Sequence, residues 1–288
     1  MAKYRKILVP YDGSTSAKNA LRQASRLARE DQSWIKVLAV LPAYEGDLEL
    51  IGVGSIKETM NGPGQQLLAE AKAIADEEGV HILTNLEQGE PYERIVHVAE
   101  DENCDLIIMG RRGLGKLERG LMGSVTARVI GHTLKDVLVV PQESVLSWER
   151  PLVALDGSPY GNSALETAFS IAQARGVELT GVSVAYTNDE VFALAPEMVN
   201  DLIDQSKDVL EKARLRAGAM DVRLTPVVRE GEPHEAILAA AEKLPASLII
   251  LGSHGRKGFT RLLMGSVTEK VIGLGHFPVL VSHLANAA

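Results

Sequence analysis

The chain is written twice. ILVPYDGSTSAKNAL, Ile7 to Leu21, returns as LVALDGSPYGNSAL, Leu152 to Leu165, with the two Asp-Gly-Ser triplets 144 residues apart. QGEPYERIVHVAE, Gln88 to Glu100, returns as EGEPHEAILAAAE, Glu230 to Glu242, at an offset of 142. A third pair keeps that offset: GRRGLGKLERGLMGS from Gly110 to Ser124, and GSHGRKGFTRLLMGS from Gly252 to Ser266, each a G-x2-G-x9-G-S pattern. Two collinear copies of domain size must each bury a core of the same design. The chain therefore divides into domains 1–143 and 150–288, joined by a linker at about 142–150.

Each copy alternates short apolar runs with helical periodicity. In the first, strands are expected at Lys6–Pro10, Lys36–Leu41, Val80–Glu87, Leu106–Met109 and Val137–Val140. Helices are expected from Thr15, over Gln65–Glu78 and Pro91–Asp101, with proline at the first turn, and over Val125–His132. Ala43 to Gly64, with five glycines, reads as irregular. The second copy repeats the strands near Leu152–Leu155, Leu179–Val184, Arg223–Val228, Leu248–Leu251 and Val279–Val281. Strict βαβα alternation with near-continuous Val/Ile/Leu strands predicts an α/β fold: two tandem open five-stranded parallel sheets, order 3-2-1-4-5, with helices on both faces.

In that order strands one and four are neighbours where the winding reverses, the place where such sheets bind ligands. Asp12-Gly13-Ser14 ends strand one and Gly110 ends strand four, so two motifs 98 residues apart face one crevice. Gly110 and Gly113 are read as permitting unusual φ and close backbone approach. Gly123-Ser124 opens a helix, where free N–H groups and the dipole favour an anion. The formal net charge is −8, which opposes nucleic-acid and acidic-membrane binding. Each glycine-rich stretch nevertheless carries a local +3, from Arg111, Arg112, Lys116 and Arg119 against Glu118, and from Arg256, Lys257 and Arg261. A small polyanion is the partner such an island selects.

Cys104 is the only cysteine, so neither an intrachain disulfide nor a Cys-based zinc site is available, and it reads as a buried thiol. The other histidines have no metal-ligand spacing, and His254 reads as a loop contact rather than a general base. The start of the chain lacks a signal-peptide apolar core and no run approaches a membrane span, so the expected location is cytoplasmic.

These motifs resemble the universal stress protein family in its tandem form, over nearly the whole chain. The resemblance implies ATP or a related adenine nucleotide (ADP, AMP) in each half, bound by Gly110, Gly113, Gly123, Ser124 and Val125 and by Gly252, Gly255, Gly265, Ser266 and Val267. It places Asp12 and Asp156 beside base and ribose, and Val40 and Val184 with their backbone against adenine. Pro10 and Ala154 on strand one, Met109 and Leu251 before the first glycine, and Arg112 and His254 within the loop complete the candidate contacts. No metal site is built from protein alone, though Mg²⁺ could be held through the nucleotide near Asp12 and Asp156. Asp12 and Asp156 also suit a bland role, holding a turn. Arg119 and Arg261 suit a phosphate clamp or a solvated loop equally.

The family pairs domains through strand five, which implies an intrachain pseudo-dimer; Lys135-Asp136 stands where the second half has Phe277-Pro278, so strict symmetry is not expected. Two such chains are expected to form a homodimer and to be read by a protein partner. The chain has no Walker lysine-serine loop, kinase signature, nucleophile elbow or SGGxDS loop. The favoured reading is a nucleotide-binding stress regulator with at most weak ATP hydrolysis and no catalytic residue assigned. The alternatives are a slow metal-dependent ATPase or phosphotransferase, and a scaffold with vestigial loops.

Overall fold

The computed structural model describes residues 3–42, 53–113, 122–187, 196–255 and 264–284. The first half runs β1 (Lys6–Pro10), α1 (Thr15–Asp31), β2 (Trp34–Leu41), α2 (Val53–Glu77), β3 (Ile82–Gln88), α3 (Pro91–Asp101), β4 (Leu106–Gly110), α4 (Ser124–His132) and β5 (Asp136–Val140). The second runs β6 (Pro151–Ala154), α5 (Pro159–Arg175), β7 (Leu179–Ala185), α6 (Pro196–Ala219), β8 (Leu224–Glu230), α7 (Pro233–Lys243), β9 (Leu248–Gly252), α8 (Ser266–Leu274) and β10 (Val279–Ser282).

Within each half every strand pairing is parallel, in the expected order 3-2-1-4-5, and β5 meets β10 antiparallel. The two sheets thus form one ten-stranded sheet. Side chains alternate across it, as a pleated strand requires. Ile7 and Val9 enter the core under α1 and α2, while Leu8 enters the core under α3 and α4. Both cores run through the two halves, the first reaching α5 and α6 and the second α7 and α8.

The seam corrects one expectation. Val139 pairs with Val279, Leu138 with Leu280 and Val137 with Val281, so the register is symmetric about the fully buried Leu138–Leu280 pair. The departure at Lys135-Asp136 acts beside the register. Asp136 accepts from Lys3 Nζ at 2.9 Å and from the Tyr4 hydroxyl at 2.7 Å, and Lys3 also donates to Thr167 of α5 at 2.8 Å. Pro278, which has neither an N–H nor a carboxylate, stands in the matching place. Burial first, and then Asp136, pushes the Tyr4 phenol well above its ordinary pKa. Arg175 of α5 adds ion pairs to Glu30 and Asp31 at the end of α1, at 3.2 and 2.7 Å.

A second correction concerns Ala43–Gly64, expected to be irregular. Residues 43–52 lie outside the described residues, but α2 begins at Val53 and carries Pro63 within it. Gly64 is there to bring the helix close to the sheet. A Cβ on it would come within 2.5 Å of Leu86 and 3.0 Å of Leu41.

Candidate functional site

The Asp-Gly-Ser turn is built identically in both halves. Asp12 Oδ1 accepts from the N–H of Ser14 at 3.0 Å, and Ser14 caps α1 by accepting from the N–H of Ala17 at 3.1 Å. Asp156 Oδ1 does the same for Ser158 at 2.9 Å, and Ser158 accepts from Gly161 at 3.0 Å. Gly13 and Gly157 between them both take φ +79°, a conformation that glycine adopts without strain. The turn-holding role of the aspartates is therefore real. It uses one carboxylate oxygen, and the other faces across the crevice to the glycine-rich stretch.

That stretch corrects the expectation of unusual φ at Gly110 and Gly113, which are not among the positive-φ glycines. Their lack of a side chain serves proximity. A Cβ on Gly110 would lie 2.7 Å from the Ser16 backbone, and one on Gly252 2.7 Å from the Tyr160 backbone. A Cβ on Gly113 would collide with Asp12 Oδ2, and one on Gly255 would lie 3.0 Å from Asp156 Oδ2. The neck of each loop is closed by a backbone hydrogen bond, from Gly123 N to Arg111 O at 2.9 Å and from Gly265 N to Ser253 O at 2.8 Å. Gly123 and Gly265 are the N-caps of α4 and α8, and neither helix start has a side-chain capping hydrogen bond among the described residues.

In the first half these parts line one cleft of about 240 Å³. All ten first-half candidates border it: Pro10, Asp12, Val40, Met109, Gly110, Arg112, Gly113, Gly123, Ser124 and Val125. The cleft has two ends of different chemistry. Pro10, Leu38, Val40, Ile95 and Met109 make an apolar end, and the glycines with the start of α4 make an amide-rich end. Of the second-half candidates, Ala154, Val184, Leu251 and Gly252 lie on β6, β7 and β9, Ser266 and Val267 begin α8, and Asp156, His254, Gly255 and Gly265 lie in the turns beside them, in the places that match the first half. His254 differs most from its counterpart Arg112. Its ring lies 4.9 Å from that of Tyr160, its Nδ1 is 3.2 Å from Ser253 Oγ, and its buried Nε2 has no hydrogen-bond partner among the described residues. This is a packed loop contact.

Sequence reasoning missed Tyr11, Pro91, Ile95 and Thr126, which also line the cleft. Thr126 Oγ1 donates to Gly110 O at 3.1 Å and Thr268 Oγ1 to Gly252 O at 2.9 Å, fixing each helix start to the end of its strand. For Thr126 and Pro91 the signal was present, because Ser-Val-Thr and Gly-Glu-Pro recur unchanged in both halves. Lys116, Glu118, Arg119, Arg256, Lys257 and Arg261 lie outside the described residues. Arg111 is described and points away from the cleft, its guanidinium meeting the end of α8. It leaves the island of charge counted around the loop.

The family model described as the universal stress protein family matches residues 3–141 and again 148–283. The chain belongs to the universal stress protein family. Among curated members it is 29% identical over 231 residues to a universal stress protein of Mycobacterium tuberculosis, covering 76% of each chain. It is 39% identical over 145 residues to one of Methanocaldococcus jannaschii, covering 48% of this chain and 82% of that one. A solved universal stress protein of Archaeoglobus fulgidus superposes with a TM-score of 0.73 at 24% identity, covering 98% of this chain and 97% of that one, which supports the fold. Universal stress domains thus stand in tandem here, and among the described residues no helix is long and apolar enough to cross a membrane.

Proposed function

We propose that each half binds an adenine nucleotide, ATP or its products ADP and AMP, and that occupancy is what this universal stress protein signals. The observation that carries the reading is the first cleft. All ten residues assigned from the motif meet there, with apolar walls suited to a base at one end and an uncapped helix start suited to phosphates at the other. N–H groups given to an anion make the stronger kind of hydrogen bond. Asp12 Oδ2 and Asp156 Oδ2 are placed to accept from ribose hydroxyls or to hold Mg²⁺ through a phosphate-bound water. Among the described residues no group of three potential metal ligands exists, so a divalent ion would need the nucleotide's own oxygens.

Binding is favoured over turnover. Among the described cleft residues Asp12 is the one carboxylate, and its Oδ1 is already held by Ser14. The protein acts in the cytoplasm, as a homodimer of two-domain chains read by another protein. Protein purified from cells and denatured should release adenine nucleotide, and calorimetry with ATP and Mg²⁺ should show two sites per chain. Asp12→Ala and Asp156→Ala should each remove one of them. Absence of nucleotide from the extract together with a flat titration would sink the reading.

A further inference from the structure

Arg111 stands second in the first glycine-rich motif, yet its two ends serve different halves of the molecule. Its backbone belongs to the first site. The N–H donates to Val140 O at 3.3 Å, and the carbonyl accepts from Gly123, the N-cap of α4, at 2.9 Å. Its guanidinium crosses the seam. Nη1 donates to the carbonyls of Ile272 at 3.4 Å and Gly273 at 3.3 Å, and makes a shorter contact to that of Gly275. These carbonyls lie at the end of α8, the helix whose start, Gly265-Ser266, is the phosphate end of the second site.

The chemistry of that contact is specific. The last carbonyls of a helix lack intrahelical partners and carry the negative end of its dipole, so a cation there satisfies both. All three contacts come from one terminal nitrogen, Nη1, whose two N–H groups are shared among the carbonyls. Burial pulls the Arg111 guanidinium below its ordinary pKa, a mark of how far the group is withdrawn from water. No mirror image of the strut exists among the described residues. Ser253, in the matching place, is too short to cross, and its hydroxyl sits 3.2 Å from His254 Nδ1. The end of α4 is met instead by His283, whose Nε2 lies 2.8 Å from Ile130 O. His283 follows β10 and belongs to no glycine loop.

We propose that Arg111 is a positioning residue of the second nucleotide site, and the link through which occupancy of the first site alters affinity at the second. This rests on the nucleotide reading given above. A phosphate seated between Gly110 and the start of α4 fixes the Arg111 backbone, which fixes where the guanidinium holds α8. Since α8 presents its other end to the second phosphate, the two binding events share one rigid connection. Linkage makes their effect on each other mutual.

The test uses the full chain with ATP and Mg²⁺ as the probe. Gly113→Val closes the first site, since even a Cβ there strikes Asp12, so calorimetry then reads the second site alone. Gly255→Val isolates the first. In the Gly113→Val chain, Arg111→Ala should weaken second-site binding roughly threefold to tenfold, the scale of a partly buried charge at a helix end. Arg111→Lys should restore part of the loss, keeping the charge but not the reach and planarity of the guanidinium. In the Gly255→Val chain, Arg111→Ala should cost the first site clearly less than it costs the second, because alanine keeps the backbone bonds to Val140 and Gly123. With both sites open, the spacing between the two binding steps should collapse in Arg111→Ala. Should Arg111→Ala fail to fold, Arg111→Gln, which keeps donors and bulk without charge, gives the same reading. An unchanged second-site affinity, or an equal loss at both sites, overturns the proposal while the nucleotide reading stands. A wild-type chain that binds no ATP overturns both.

Discussion

Beside the two Asp-Gly-Ser turns, toward α2 and α6, the halves were filled differently. In the first, the Tyr11 hydroxyl donates to Glu70 of α2 at 2.6 Å and Lys18 pairs with the same carboxylate at 2.6 Å. Burial and Glu70 push the Tyr11 phenol up, while Lys18 and Tyr11 pull the Glu70 carboxyl down. In the second, Leu155, Lys212 and Asn162 stand in the matching places, and a cleft of about 440 Å³ opens between α5 and α6. The aspartate turn, the glycine neck and the helix start are kept alike, down to the φ of one glycine. The side chains around them have drifted, Tyr11 and Arg112 of the cleft becoming Leu155 and His254. Duplication preserved the turn, the neck and the helix start, and left their supports free to change.

The comparison can be strained from the seam outward. Leu138→Ala and Leu280→Ala should each cost about 2–5 kcal/mol in denaturant unfolding, the usual loss for a buried leucine. The costs should be nearly equal, because the two residues pair across the symmetric register; a large inequality would mean that one half alone carries the seam. Gly110→Ala and Gly252→Ala come next, at about 1–3 kcal/mol of overpacking apiece. Each added methyl meets backbone at 2.7 Å, Ser16 in one half and Tyr160 in the other, so neither can be relieved by rotating a side chain. Equal midpoints to wild type would show that the close approach is slack.

The smallest effect is asymmetric. Burial above all holds the His283 imidazole below its ordinary pKa, against smaller opposing effects of Ile130 O and Asp136. A folded pKa below the unfolded one means that the unfolded chain takes up the proton first. Stability is then full above about pH 6.5 and is lost as pH falls below it. His283→Gln should flatten that slope, while the matching residue of the first half, Pro141, has nothing to titrate. Thermal midpoints measured from pH 7.5 to 5.5 would show it, and parallel curves for the two proteins would refute it.

Much of this was legible from the residues. β1 and α3 begin and end where the periodicity put them, because alternation and Pro91 at a helix start are local signals. The crevice was legible because the order of a doubly wound sheet brings Asp12 beside Gly110. Gly64 misled because a glycine that lets two elements touch looks the same in sequence as one that breaks a helix. Gly110 and Gly113 misled in the same way, with proximity taken for torsion. Arg111 could not have been read at all. The partners of its guanidinium lie 161 to 164 residues away, and nothing in a run of basic residues says which one turns its back on the cleft.

The antiparallel meeting of β5 and β10 has a further consequence. Two domains that would otherwise associate at a rate and affinity set by their abundance are held by one linker at a fixed effective concentration, which dilution cannot lower. Pairing is then no longer a variable the cell can adjust. The edges left for a second chain are β3 and β8, at the far ends of the sheet, and β8 carries Pro226, a residue that sheets tolerate at an edge. Any higher assembly must be built there or from helix faces, and the seam itself is closed to newcomers.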